Sequence, residues 1–150
     1  VPDYSACLQE DVKGLVIGVP RHYCFDTDTG VDQETVAAVE RALTELEGLG
    51  ARVEEVRIPS LEYASIANSV IMLTEAFAYH KGNLNSQPQN FREQVRQRLY
   101  LGGLFGANDL LQALRARSRI RREFAQTLQR VDVVAMPTSL TPAPRSDEYD

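Results

Sequence analysis

Three short apolar runs mark out the chain. The first, Leu15-Val16-Ile17-Gly18-Val19-Pro20, is continuous rather than alternating, as expected of a strand covered on both faces. Pro20 stops it because it has no N–H for a ladder. Ala51 to Ile58 alternates, with Val56 and Ile58 on one side and Glu55 and Arg57 on the other, and reads as a half-exposed strand. Val131-Asp132-Val133-Val134-Ala135-Met136-Pro137 reads as a third, buried strand. Between the first two lie a polar loop, Arg21 to Gly30, and a helix that Asp32 can cap, with Glu34 in its first turn. Val36, Val39, Leu43 and Leu46 line that helix, and Gly48 or Gly50 ends it. Strand, helix and strand in so few residues make a βαβ unit with parallel strands. A second helix starts at Pro59-Ser60. Its body (Ile66, Val70, Ile71, Met72, Leu73, Phe77) is apolar on more than one face, so it is expected to be largely buried and to close at Gly82. Residues 83–90 read as a loop, and further helices are expected at about 91–102 and 108–130. The fold class is therefore α/β: about three mainly parallel strands (14–20, 51–58 and 131–137) packed with four helices.

Composition sharpens this picture by exclusion. The chain has 150 residues, 43% of them hydrophobic, and contains no run of about 18 apolar residues. A membrane span is thus excluded, and the polar start Val1-Pro2-Asp3-Tyr4 is unlike a secretory signal, so the expected setting is cytoplasmic. Residues 1–90 carry 6 basic against 14 acidic side chains, residues 91–130 carry 9 against 3, and residues 131–150 carry 1 against 4. A chain of net charge −5 with one basic stretch is a poor nucleic-acid binder, and no nucleic-acid partner is expected. In the last helix the apolar stripe Ala113, Ala116, Ile120, Phe124, Leu128 and Val131 leaves Arg115, Arg119, Arg122 and Arg130 on the wet side.

Candidate chemistry is sparse. Glycine-rich phosphate loops, the nucleophile elbow and the zinc-protease motif are all missing, and Pro20 removes an N–H that a phosphate cradle after the first strand would use. Cys7 and Cys24 have neither a C-x-x-C partner nor adjacent histidine pairs, so they read as small hydrophobes rather than metal ligands; no cofactor is expected. His22, Cys24 and Asp26 lie close enough in sequence to suggest a thiol site, although three polar residues in a loop are commonplace. Ser139, in Pro137-Thr138-Ser139, follows a buried strand, where α/β proteins place ligand contacts and also ordinary turns. Arg98 could grip a carboxylate bidentately or make a surface ion pair. Glu75, among apolar neighbours, should pair with an arginine of the 91–130 region or occupy the one polar edge of its helix.

The order of blocks carries more than any one of them. Lys13-Gly14-Leu15 through Gly18-Val19-Pro20-Arg21, followed by Leu49-Gly50-Ala51-Arg52-Val53-Glu54-Glu55-Val56, resembles the "KGLRIGVPR … LGAEVEEV" passage of the amidase signature family. That family includes bacterial amidases and the A subunit of the tRNA-dependent glutamine amidotransferase. Glu75-Ala76 resembles its "EA", Val95 to Gly102 its "VKRRIMLG", Arg117 with Arg121 to Phe124 its "VR…RRDF", and Val131 to Ser139 its "VDVLLTPTT". The resemblance implies a hydrolase of carboxylic amides using a Ser–cis-Ser–Lys triad on a mixed sheet, with a small-molecule amide as substrate. No triad residue can be carried over: the lysines are Lys13 and Lys81, and no Gly-Gly-Ser-Ser segment is present. Residues 1–150 are therefore expected to be one fragment of an amidase domain, without the upstream catalytic core and the extreme C-terminal part, and inactive alone.

Two substrate contacts follow from the resemblance. Arg98 aligns with the arginine that holds the substrate carboxylate in the glutamine-using branch, and Thr138 lies in the Pro-Thr turn that helps line the acyl pocket of some members. Residues 82–90 lack that branch's "GVRYG", which favours a plain amidase. Cut strands would leave sheet edges open to a second copy, giving a homo-oligomer. The competing expectation is a free-standing α/β binding or interaction module whose arginine-rich helix docks an acidic partner. An autonomous hydrolase built on Cys24 or Ser139 is a third.

Overall fold

The computed structural model describes residues 11–25, 30–143 and 145. They divide into two compact units, Val1–Ile58 with Phe124–Asp150, and Pro59–Glu123. Cys7, Asp26 and the acidic stretch 147–150 lie outside the described residues.

The first unit is built on β1 (Val16–Val19), β2 (Arg52–Glu55) and β3 (Val133–Val134), all parallel in the order β2-β1-β3. β1 is central and pairs Val16 with Arg52 on one side and Ile17 with Val133 on the other. This explains its unbroken apolar run: Ile17 is 2% and Val19 0% exposed. Gly18 is required by packing, since a Cβ there would lie 2.9 Å from Val56 Cγ1 and 3.0 Å from Val131 Cγ2. β3 is shorter than its apolar sequence suggests. At its start the Asp132 carboxylate accepts the Val16 N–H at 2.8 Å, and three residues past its end Pro137 has no N–H to offer. The alternation of 51–58 persists beyond β2, for Val56 and Ile58 are buried while Arg57 is exposed.

After β1 the expected polar loop opens with a single helical turn, α1 (Arg21–Cys24). The helix α2 (Gln33–Gly48) begins where its cap was expected, with Asp32 Oδ1 accepting the Glu34 N–H at 2.9 Å and the Thr35 N–H at 3.1 Å. It ends in a left-handed turn at Gly50, φ +100°, while Ala51 N–H returns to Leu46 O at 3.0 Å. Leu43, with Val39 and Leu46 beside it, closes the core over Ile17 and Val19.

The second unit is helical. A 3-10 turn, Pro59–Tyr63, leads into α3 (Ala64–Ser86), followed by α4 (Glu93–Gly102) and α5 (Ala107–Thr127), whose last turn belongs to the first unit. Two expectations for α3 are corrected. It does not close at Gly82, because Leu84, 1% exposed, repays the roughly 1 kcal/mol that a mid-helix glycine costs; the helix stops before Pro88, whose ring disfavours helical geometry at Gln87. Nor is it largely buried: Ala67, Ile71 and Leu84 are inside, but Ile66 is 70% exposed and Met72 42%. Ala67 and Ile71 pack with Ala113 of α5, and α3 meets α4 so closely at Gly102 that a Cβ there would lie 2.0 Å from Leu73 O.

Candidate functional site

The chain passes from β1 to its neighbour β2, then returns across β1 to β3, so strand order reverses between β1 and β3. In parallel sheets ligands bind beyond the carboxyl ends of the strands at such a reversal. Here those ends carry Pro20-Arg21-His22 and Met136-Pro137-Thr138-Ser139.

Arg21, His22 and Ser139 at this edge each have a traceable partner. Arg21 is ion-paired to Glu40 of α2 and lies 5.3 Å from the centre of the Phe25 ring. His22 Nε2 sits 3.2 Å from Ile58 O, so its ring ties α1 to the segment after β2. Cys24 is 6% exposed and burial pushes its thiol up from the usual value, which works against a thiolate nucleophile. The thiol-site idea is corrected on two counts, with His22 engaged at Ile58 and Cys24 buried as a small hydrophobe; Asp26 lies outside the described residues. Ser139 Oγ donates to Thr141 O at 2.8 Å and accepts the Thr141 N–H at 3.4 Å, a turn-forming role instead of a nucleophile's. Thr138 is exposed just before it.

In the second unit Arg98 lies on α4 and is exposed. Thr138 belongs to the other unit, so the two residues are carried by different scaffolds. Glu75 takes the polar edge of α3 and is exposed. His80 stands edge-on to the rings of Tyr79 and Phe91, at 4.8 and 5.5 Å, as a packing residue. Tyr63, Ile66, Val70 and Ala116 help line a mainly apolar groove of about 280 Å³ between α3 and α5, whose one carboxylate, Asp109, accepts the Gly106 N–H at 2.8 Å.

Sequence reasoning missed one polar cluster, gathered around the buried Ser60. Ser60, 2% exposed, donates its N–H to Glu123 Oε2 at 2.8 Å and its hydroxyl to Oε1 at 2.7 Å, while Arg119 Nε donates to Oε1 at 3.1 Å. Burial alone would raise the Glu123 carboxyl, but the Ser60 and Arg119 hydrogen bonds outweigh it and hold the group below the usual carboxylate value. Glu123 was visible in the sequence as part of an arginine-rich block, but nothing there pointed to Ser60, sixty-three positions away. Among the described residues no group of three His, Cys, Asp or Glu could hold a metal ion.

The strands and the helices packed with them define an α/β protein with a parallel sheet. The sequence profile of the Amidase family matches residues 1–150, and the chain belongs to that family. It is 43% identical over 148 residues to an amidase of Pseudomonas putida, covering 99% of this chain and 31% of that protein. Over 172 residues it is 37% identical to the A subunit of the glutamyl-tRNA(Gln) amidotransferase of Moorella thermoacetica, covering 99% of this chain and 34% of that one. A crystal structure of an amidase superposes with a TM-score of 0.79 at 29% identity, over 93% of this chain and 31% of the other. The chain thus spans about a third of the length of the relatives it matches.

Proposed function

We propose that this chain is a section of a hydrolase that cleaves the C–N bond of non-peptide carboxylic amides, supplying sheet strands and pocket wall. The family match along all 150 residues carries the reading. In the reaction that the resemblance implies, a lysine draws a proton through a bridging serine, and a second serine attacks the amide carbon. The tetrahedral oxyanion collapses with loss of ammonia or an amine, and water then hydrolyses the acyl-enzyme. None of those three residues can be matched in this sequence, so the 150-residue chain by itself turns over no amide. Arg98 contributes a planar guanidinium suited to a substrate carboxylate, and Thr138 a hydroxyl at the acyl side. The reaction needs no cofactor, takes a small-molecule amide and runs in the cytoplasm without nucleic acid or membrane. No helix of the described residues is long and apolar enough to cross a bilayer. β2 and β3 form the two margins of the three-stranded sheet and offer a second copy a pairing edge.

A free-standing module docking an acidic partner through α5 is the competing reading; Arg115, Arg117, Arg121 and Arg122 are exposed there. The exposed Ile66 (70%), Tyr79 (83%) and Leu104 (79%) favour the hydrolase section, because such side chains await apolar cover. A chimera separates the two. With this chain substituted for the matching third of the Pseudomonas putida amidase, amide hydrolysis is retained, and Arg98→Ala and Thr138→Ala raise KM more than they lower kcat. A folded chimera with no hydrolysis overturns the reading.

A further inference from the structure

Between the end of β3 and Thr141 the backbone is held at three places. Ala135 N–H donates to Gly18 O of the central strand at 2.9 Å, Leu140 O accepts the Asp32 N–H at 2.8 Å, and the Ser139 hydroxyl closes over Thr141, donating to its carbonyl at 2.8 Å and accepting its N–H at 3.4 Å. Asp32 also caps α2 through its side chain, so the tie at Leu140 runs into a helix anchored on the core. The stretch Met136-Pro137-Thr138 is therefore a short bridge with both ends fastened, and Pro137 locks one of its few free torsions. Thr138 projects from this bridge, exposed, at the carboxyl end of the sheet. Catalytic walls need placement to within a fraction of an ångström, and that comes from residues that never touch substrate.

Resting on the hydrolase reading above, we infer that Ser139 is a positioning residue: its hydroxyl holds the Pro137-Thr138 turn in place as an acyl-side wall for the amide substrate. No proton or covalent bond passes through Ser139. Loss of its hydroxyl leaves the Thr141 N–H unclosed and lets the bridge spread, which weakens substrate placement without touching the reacting groups.

Two measurements test this. Hydrogen exchange on the 150-residue chain comes first: Ser139→Ala speeds exchange of the Thr141 amide roughly fivefold, about what one ordinary hydrogen bond is worth, and Ser139→Thr restores it. Unchanged exchange overturns the inference whatever the activity. Kinetics in the Pseudomonas putida chimera come second: Ser139→Ala raises KM for substrates of differing acyl groups roughly fivefold with kcat and Tm held, and Ser139→Thr recovers the parent value. Parent kinetics in Ser139→Ala overturn the inference, and so does an equal fall of kcat and Tm, which marks a purely structural role. If the unsubstituted chimera is itself inactive, the hydrolase reading fails and the substrate-wall role falls with it, while exchange still reports whether Ser139 holds the turn.

Discussion

The crossing of α3 and α4 allows a prediction in which two glycine-to-alanine changes have opposite signs. A Cβ built on Gly102 meets Leu73 O at 2.0 Å, Leu73 C at 2.6 Å and Phe77 Cβ at 2.9 Å. Two of those three atoms are backbone and cannot swing away, so the helices must part by more than an ångström to regain ordinary contact. Overpacking of this kind costs about 1–3 kcal/mol. The helix-propensity gain of alanine, at most about 1 kcal/mol, is reduced because Gly102 is the last residue of α4. Gly82 sits inside α3 with nothing within 4 Å of a new Cβ. There the gain stands alone at about 0.5–1 kcal/mol. At about 2–4 °C per kcal/mol for a chain this long, Gly82→Ala raises Tm by a few degrees and Gly102→Ala lowers it by more. Thermal melts and urea midpoints followed by circular dichroism read both. A Gly102→Ala chain with full helix content and an unchanged or higher midpoint would refute the close approach of the two helices.

Two further perturbations test local claims. The Glu123 carboxyl is held below its usual value of 4.5, so its ionised form stabilises the fold above that value, and the contribution is lost as pH falls through the lowered one. Urea midpoints of the parent therefore drop on acidification below about pH 4.5 more steeply than those of Glu123→Gln; parallel slopes would show that the Ser60 and Arg119 bonds do not bias its ionisation. Asp32→Ala removes the acceptor for two α2 amides and costs about 1 kcal/mol, whereas Asp32→Ser is nearly neutral. Because the tie to Leu140 uses the Asp32 backbone, exchange at Thr141 is unchanged in both variants.

The sheet was readable from the chain because its causes are local. The continuous apolar run 15–20 reads as a doubly covered strand, which fits the central place of β1, and Asp32 with Gly50 bounded α2 through capping chemistry that acts over a few residues. Family membership was readable for a related reason: five blocks stand in order along the sequence, and the family profile matches residues 1–150. What failed locally was overridden by distant contacts. The apolar content of α3 could not say which side finds a partner, and Gly82 could not end a helix in which Leu84 is buried.

The sequence alone determined where the three strands fall, the Asp32 cap, the charge asymmetry and the family, since each depends on neighbours within a few positions or on ordered motifs. Only the tertiary structure decided that Ser60 and Arg119 converge on Glu123, that Gly102 must stay without a side chain, and that the Asp32 N–H reaches Leu140 O. Hydrogen bonds across tens of residues, and approaches of backbone to backbone, are set by how whole elements pack, and no single stretch of chain encodes them.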